Sequence, residues 1–233
     1  MGFFHHIGTF LLLAATILLI VTCISAPVVH DIGLLKIQLG TGRARDYTQV
    51  AFGTFGACVN YVDAPDDCTK SRVGYSPADV LDMAGASSDF SNTARDTTKA
   101  LTRAMVLHPI ACGLNFIAFL LSLGAGVLGS LLASMIALLA FIVTVAIMII
   151  DFVLFSIVKS NINDNTDYNA YFGAAAWTTL AAAICSLLAT VIVFLTCCSG
   201  RRKKRNQHTT AAKTEYVEAP RRRRGWFPSR RRY

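Results

Sequence analysis

The sequence predicts an α-helical integral membrane protein: a four-transmembrane-helix bundle with a small disulfide-bonded, β-containing extracellular loop domain. Three observations carry this. The 233-residue chain is 54% hydrophobic with a mean hydropathy of +0.49. Only 15% of it is charged, against about 25% in soluble domains. Its apolar runs reach the ~20 residues that a helix needs to cross a bilayer.

The longest run fixes the arrangement. Ala104 to Val158 holds 55 residues, with Pro109 as its one proline and no charged residue before Asp151. As one helix it would measure about 80 Å, more than twice a ~30 Å hydrocarbon core. It must therefore fold back, and Gly124 to Gly129, with three glycines in six residues, is the place for the turn. Residues 104–158 are thus expected to be a helical hairpin, with spans at about Ala104–Leu123 and Ser130–Val158.

The other elements follow in order. Residues 1–26 hold a short amino terminus and a first span from Ile7 to Ala26. A cleaved signal peptide fits less well: Pro27 would follow the cut, and no Lys or Arg marks a basic leader region. Residues 27–103 form the polar loop domain. Leu35 to Leu39 alternates apolar and polar as a strand does. Val50 to Val59 is rich in β-formers. Ser76-Pro77-Ala78-Asp79 reads as a helix start, and nothing between Thr93 and Leu107 breaks a helix, so the second span is expected to project from the bilayer without interruption. Residues 159–173 are a short polar loop, residues 174–198 the fourth span with Tyr168, Tyr171 and Phe172 at its interface, and residues 199–233 a basic tail. That tail holds 13 of the 22 Lys and Arg against Glu215 and Glu218 and carries +11, whereas the first 200 residues carry −3. The charge places the tail in the cytoplasm. Four spans then put both termini inside and both polar loops outside.

Cys58 and Cys68 are the only two of seven cysteines in a polar region, and an outside loop allows them to pair as a disulfide. Asp151 lies eight residues, or ~12 Å, inward of Lys159. The antiparallel neighbour offers His108, so an intramembrane Asp151–His108 contact is expected. It would either lock two helices or couple the loop domain to the bundle through a proton. Two small-residue stripes, Gly126/Ser130/Ser134 and Gly129/Ala133/Ala137, suit close helix packing, within the bundle or between copies in a homo-oligomer. Cys197 and Cys198 at the inner boundary are palmitoylation candidates. The tail residues Arg201, Arg202, Lys203, Lys204, Arg205, Arg221, Arg222, Arg223, Arg224, Arg230, Arg231 and Arg232, with Trp226 and Phe227 between the later clusters, suit anionic inner-leaflet lipid. An acidic cortical protein is the alternative partner; nucleic acid is excluded by the tether. No nucleophile–base set, zinc spacing, phosphate-binding glycine loop or paired catalytic carboxylates occurs, and His30 is the only histidine of the loop domain. Hence no enzyme, cofactor or metal is expected.

The loop-domain stretch Gly53-Thr54-Phe55-Gly56-Ala57-Cys58, then Cys68, then Gly74-Tyr75, followed by His108-Pro109 and Asp151 within a four-span layout, resembles the fungal Sur-seven/PalI family over roughly residues 1–200. A more distant likeness is to claudins, with Phe55 where those have Trp. The resemblance implies a non-enzymatic plasma-membrane protein. The expected function is that of one branch, a scaffold that organises cortical membrane domains of the eisosome type with coat and sibling membrane proteins. The other would assist a multispan receptor of ambient alkaline pH.

Overall fold

The computed structural model describes residues 3–39, 47–61, 65–84, 91–124, 127–165 and 168–217; the side chains of residues 3–4, 47–48, 83, 127–128, 130, 165 and 197–217 lie outside that description. Four apolar stretches, His5–Cys23, Asn92–Leu123, Leu131–Asp164 and Ala174–Thr196, are long enough to cross a membrane. In chain order the elements are α1 (Phe3–Cys23), β1 (Leu35–Gln38), β2 (Tyr47–Phe52), β3 (Ala57–Tyr61), β4 (Asp67–Cys68), α2 (Pro77–Met83), α3 (Asn92–Ala104), α4 (Leu107–Leu123), α5 (Val127–Asn165), β5 (Asn169–Phe172) and α6 (Ala174–Val217). Residues 1–197 and 198–233 form separate units.

The bundle is small inside and large outside. Ala15, Ala111, Ala118, Ala137, Ala182 and Ala189 are buried, whereas Phe10, Ile17, Ile142, Phe194 and Leu195 are exposed. Lipid removes the penalty for exposing Leu or Phe, so helices approach through their small residues instead. The helix entering the second span is not continuous, as expected from sequence, but breaks at Met105 and Val106 between α3 and α4. Pro109 is the cause: it has no N–H for the Met105 carbonyl one turn back, and its ring crowds that position.

The polar segment forms a five-stranded antiparallel sheet in the order β4-β3-β2-β1-β5. The alternation at Leu35–Gln38 turns Leu35 and Ile37 inward, opposite Phe52 and Val50 of β2. That face packs on Tyr75, Leu81 of α2, and Leu154, Phe155, Val158 and Ile162 of α5. The helix α5 runs to Asn165, beyond the expected Val158, and its last two turns hold up the sheet. Ser76 caps α2, its hydroxyl accepting from the Asp79 N–H at 3.3 Å. The segment expected to be a loop after the third span supplies β5, which pairs with β1, and the Tyr171 hydroxyl accepts from Gln49 of β2 (2.6 Å).

Cys58 and Cys68 sit opposite each other across β3 and β4 and form a disulfide, with Cα atoms 4.1 Å apart. Replacing both by Ser is expected to destabilise the sheet domain by about 3 kcal/mol in the chain-entropy picture. Thermal unfolding of the purified chain in mild detergent checks this; an unchanged midpoint would count against it.

Candidate functional site

Where α4 and α5 cross beneath the sheet, His108 and Asp151 meet. Both are buried, at 0% and 1% exposure, and His108 Nε2 lies 3.1 Å from Asp151 Oδ2. Pro109 sets up the histidine. The Met105 carbonyl that it leaves without a helical donor accepts instead from the His108 backbone N–H (3.0 Å) and from His108 Nδ1 (3.1 Å). A carbonyl only accepts, so in the tautomer with its hydrogen on Nδ1 the ring donates to Met105. In the other tautomer Nε2 donates to Asp151 Oδ2. Asp151 Oδ1 is buried and has no hydrogen-bond partner among the described residues.

Directly above lies Tyr75, fully buried. Its hydroxyl donates to the Gly53 carbonyl (2.8 Å), and its own carbonyl accepts from Thr102 Oγ1 of α3 (2.7 Å). The preceding residue has φ +75°, the left-handed region where glycine is free of the Cβ penalty, and Gly74 occupies it against the Arg103 side chain. The turn Gly53–Gly56, closed by the Gly53 N–H on the Gly56 carbonyl (2.8 Å), seats on the end of α1. Buried Thr54 donates its hydroxyl to the Thr22 carbonyl (2.8 Å), and its N–H reaches Ser25 Oγ (3.0 Å). Phe55 is half-buried and its carbonyl accepts from the Arg72 N–H (2.8 Å). Thus Gly53, Phe55, Gly56, Gly74 and Tyr75 form a collar that joins the sheet to α1 and α3 above the His108–Asp151 pair.

Burial, with the Asp151 charge adding to it, pushes the Tyr75 phenol up from its ordinary value. An acid whose folded value is raised contributes full stability below its unfolded value, near pH 10, and loses it as pH rises further. The native chain is therefore expected to lose stability between pH 10 and 11 more steeply than Tyr75→Phe. At neutral pH that variant is expected to be about 1–3 kcal/mol weaker, because the Gly53 carbonyl loses its donor. Chemical unfolding at pH 8, 10 and 11 reads both effects, and parallel curves would refute the assignment.

A model of the SUR7/PalI family matches residues 4–208. The chain belongs to the SUR7/PalI family. With its four long apolar helices, it is a multi-pass membrane protein. It is 31% identical over 117 residues to the pH-response regulator protein palI/RIM9 of Emericella nidulans and 28% identical over 115 residues to the pH-response regulator protein palI/prr-5 of Neurospora crassa. It is also 30% identical over 116 residues to the membrane protein TOS7 of Saccharomyces cerevisiae. Each match takes in about half of this chain but only 18%, 15% and 18% of the respective relative.

In this SUR7/PalI chain the spans also contain a buried polar cluster that sequence reading did not single out. Asn115 donates to the Ala111 carbonyl (3.0 Å) and accepts from Ser186 Oγ (3.2 Å), which links α4 to α6. Thr190 reaches across to the Ala137 carbonyl (3.1 Å), so α6 packs on the stripe containing Ala133 and Ala137. Gly129 lies close to the Gly124 carbonyl. Ser134 is buried and bonds within its own helix. An uncharged amide between apolar residues was the available signal for Asn115. His30, Cys58 and Cys68 place potential metal-ligating atoms within 4.8 Å of one another, but the disulfide occupies both sulfurs, and His30 Nδ1 engages Asp66 at 3.1 Å. Gly126, the Ser130 side chain, the side chains of Cys197 and Cys198, those of Arg201–Arg205, and Arg221–Arg224, Trp226, Phe227 and Arg230–Arg232 lie outside the described residues.

Proposed function

We propose that this protein is a non-catalytic accessory membrane protein of an ambient-pH response, lodged in the plasma membrane with its sheet domain outside and both termini in the cytoplasm. One observation carries the reading: about half of the chain resembles two proteins named as pH-response regulators. The orientation is supported by Arg201–Arg205 after the last span and by a disulfide in the sheet domain. Its partner is a multispan receptor, engaged laterally through the exposed apolar helix faces.

Deleting the gene and scoring growth at neutral and alkaline pH tests this. Loss of growth confined to alkaline medium, restored by the full chain, is expected. Equal growth of both strains would refute it.

The +11 charge of residues 201–233 favours a second reading, a cortical organiser whose tail holds anionic inner-leaflet lipid or coat proteins. Under that reading, deletion disperses cortical patches at every pH. Co-purification from mild detergent separates the two: a receptor follows from the first, coat and sibling four-span proteins from the second.

A further inference from the structure

We propose that Cys58 and Cys68, once their disulfide is reduced, form with His30 a binding site for a thiophilic metal cation such as Zn2+. The site lies on the sheet face turned away from the core. It goes beyond the pH-response reading and does not depend on it.

The fold assembles donors that the sequence keeps apart. His30 lies in the segment between α1 and β1, Cys58 on β3 and Cys68 on β4. A ring nitrogen and the two sulfurs lie within 4.8 Å of one another. Ala57 and Val59 turn into the core cluster, so the alternation of β3 points Cys58 to the opposite face, with Cys68 across the ladder. Asp66 Oδ2 lies 3.1 Å from His30 Nδ1. A carboxylate only accepts, so the tautomer that makes this bond carries its hydrogen on Nδ1 and leaves Nε2 the lone pair that a metal takes. A carboxylate behind the ring is the usual support of a metal-bound histidine. Two thiolates and an imidazole favour Zn2+ or Cu+ over harder ions. Three protein ligands leave a fourth tetrahedral position, which water can reach because His30 is exposed.

In the disulfide the sulfurs are bonded to each other and ligate nothing. Two molecules of a small thiol open it. One thiolate attacks a sulfur, the S–S bond breaks, and its electron pair leaves with the other cysteine; a second thiolate then displaces the first. The protein gains two electrons and two protons, and the small thiols leave joined as their own disulfide. Binding of the metal then expels the two thiol protons, one from each cysteine.

The ladder keeps the reduced cysteines together. The Thr69 N–H donates to the Ala57 carbonyl (2.9 Å), the Ala57 N–H to Thr69 Oγ1 (3.0 Å) and the Arg72 N–H to the Phe55 carbonyl (2.8 Å). None of these bonds involves sulfur. The two sulfurs need only part to about 3.8 Å, the edge of a tetrahedron with Zn–S bonds of ~2.3 Å. Cys68 is half-buried on a two-residue edge strand, where rotation of its side chain supplies that shift. The metal then replaces the S–S bond as the clasp of β4 on β3.

Cobalt uptake by the purified full chain in mild detergent tests the site. Thiolate-bound Co2+ absorbs in the near ultraviolet, and tetrahedral Co2+ absorbs in the visible. The native chain, reduced with a phosphine and freed of excess reductant, is expected to take up one Co2+ with both absorptions and to release it to Zn2+. The unreduced chain and the reduced Cys58→Ser/Cys68→Ser variant retain the remaining cysteines and should show neither absorption. Asp66→Asn is expected to weaken uptake by about 10–100-fold, and His30→Ala by more. Zn2+ should also raise the unfolding midpoint of the reduced native chain, since only the folded chain gathers the three donors; the midpoint of reduced His30→Ala should not move. These midpoints and the unreduced chain decide the matter if the serine variant does not fold. Absence of both absorptions from the reduced native chain, equal absorption from the serine variant, equal uptake by His30→Ala, or a native midpoint that Zn2+ leaves unchanged overturns the site.

Discussion

Gly53→Ala is expected to unseat the sheet domain from α1. A methyl group built on Gly53 overlaps the backbone of Ala26, including its carbonyl oxygen and nitrogen. Backbone on both sides leaves no flexible side chain to yield. The turn is held at the same time by the Tyr75 hydroxyl on Gly53 and by Thr54 on Thr22 and Ser25, so relief of the clash costs those bonds too. The combined penalty is roughly 3 kcal/mol or more. Gly113→Ala is the matched control: a methyl there meets nothing within 4 Å, and the residue lies within α4. Limited proteolysis of the two purified variants should show early cleavage of the sheet domain in the first alone. Equal resistance would mean that the collar yields where its atoms suggest it cannot.

The helices were legible in the sequence because length and hydropathy act locally: a 55-residue apolar run has no other way to fit a bilayer. The sheet was legible in part. Leu35–Gln38 shows the period of two because one face is buried, and Ser76 shows a cap because the cap is a local hydrogen bond. The fifth strand was not, because Asn169–Phe172 is only four residues long and finds its partner, Leu35–Gln38, far back in the chain. The break between α3 and α4 follows from Pro109, yet a proline in the first turn of a helix is unremarkable by itself; only the place where α4 begins shows which carbonyl it frees. The placement of His108 opposite Asp151 could be deduced from depth along antiparallel spans, whereas the approach of Nδ1 to Met105 could not, since it depends on that freed carbonyl. The Asn115 cluster escaped notice for a different reason. Ser and Thr in apolar helices commonly bond their own preceding turn, as Thr144 does with the Ala140 carbonyl (2.7 Å), so their presence alone does not reveal which ones face a neighbour.

Removing one partner of the His108–Asp151 pair is expected to cost far more than removing both. His108→Ala strands a carboxyl group whose Oδ1 already has no hydrogen-bond partner among the described residues, and leaves the Met105 carbonyl without its side-chain donor. Breaking a buried ion pair from one side typically costs 3–5 kcal/mol. Asp151→Ala should be milder, at about 1–3 kcal/mol, because what remains is an imidazole that is able to stay neutral and keep its bond to Met105. His108→Leu/Asp151→Leu replaces two polar groups by apolar ones where α4 meets α5, and such exchanges are often neutral or favourable. The double variant is therefore expected to approach native stability at pH 7 even though His108→Ala does not. Reversible unfolding in mixed micelles, read at one pH for the native chain and the three variants, tests that ordering, and His108→Leu and Asp151→Leu made singly close the cycle with the double variant and give the coupling directly. Penalties that simply add would show that the two side chains act independently.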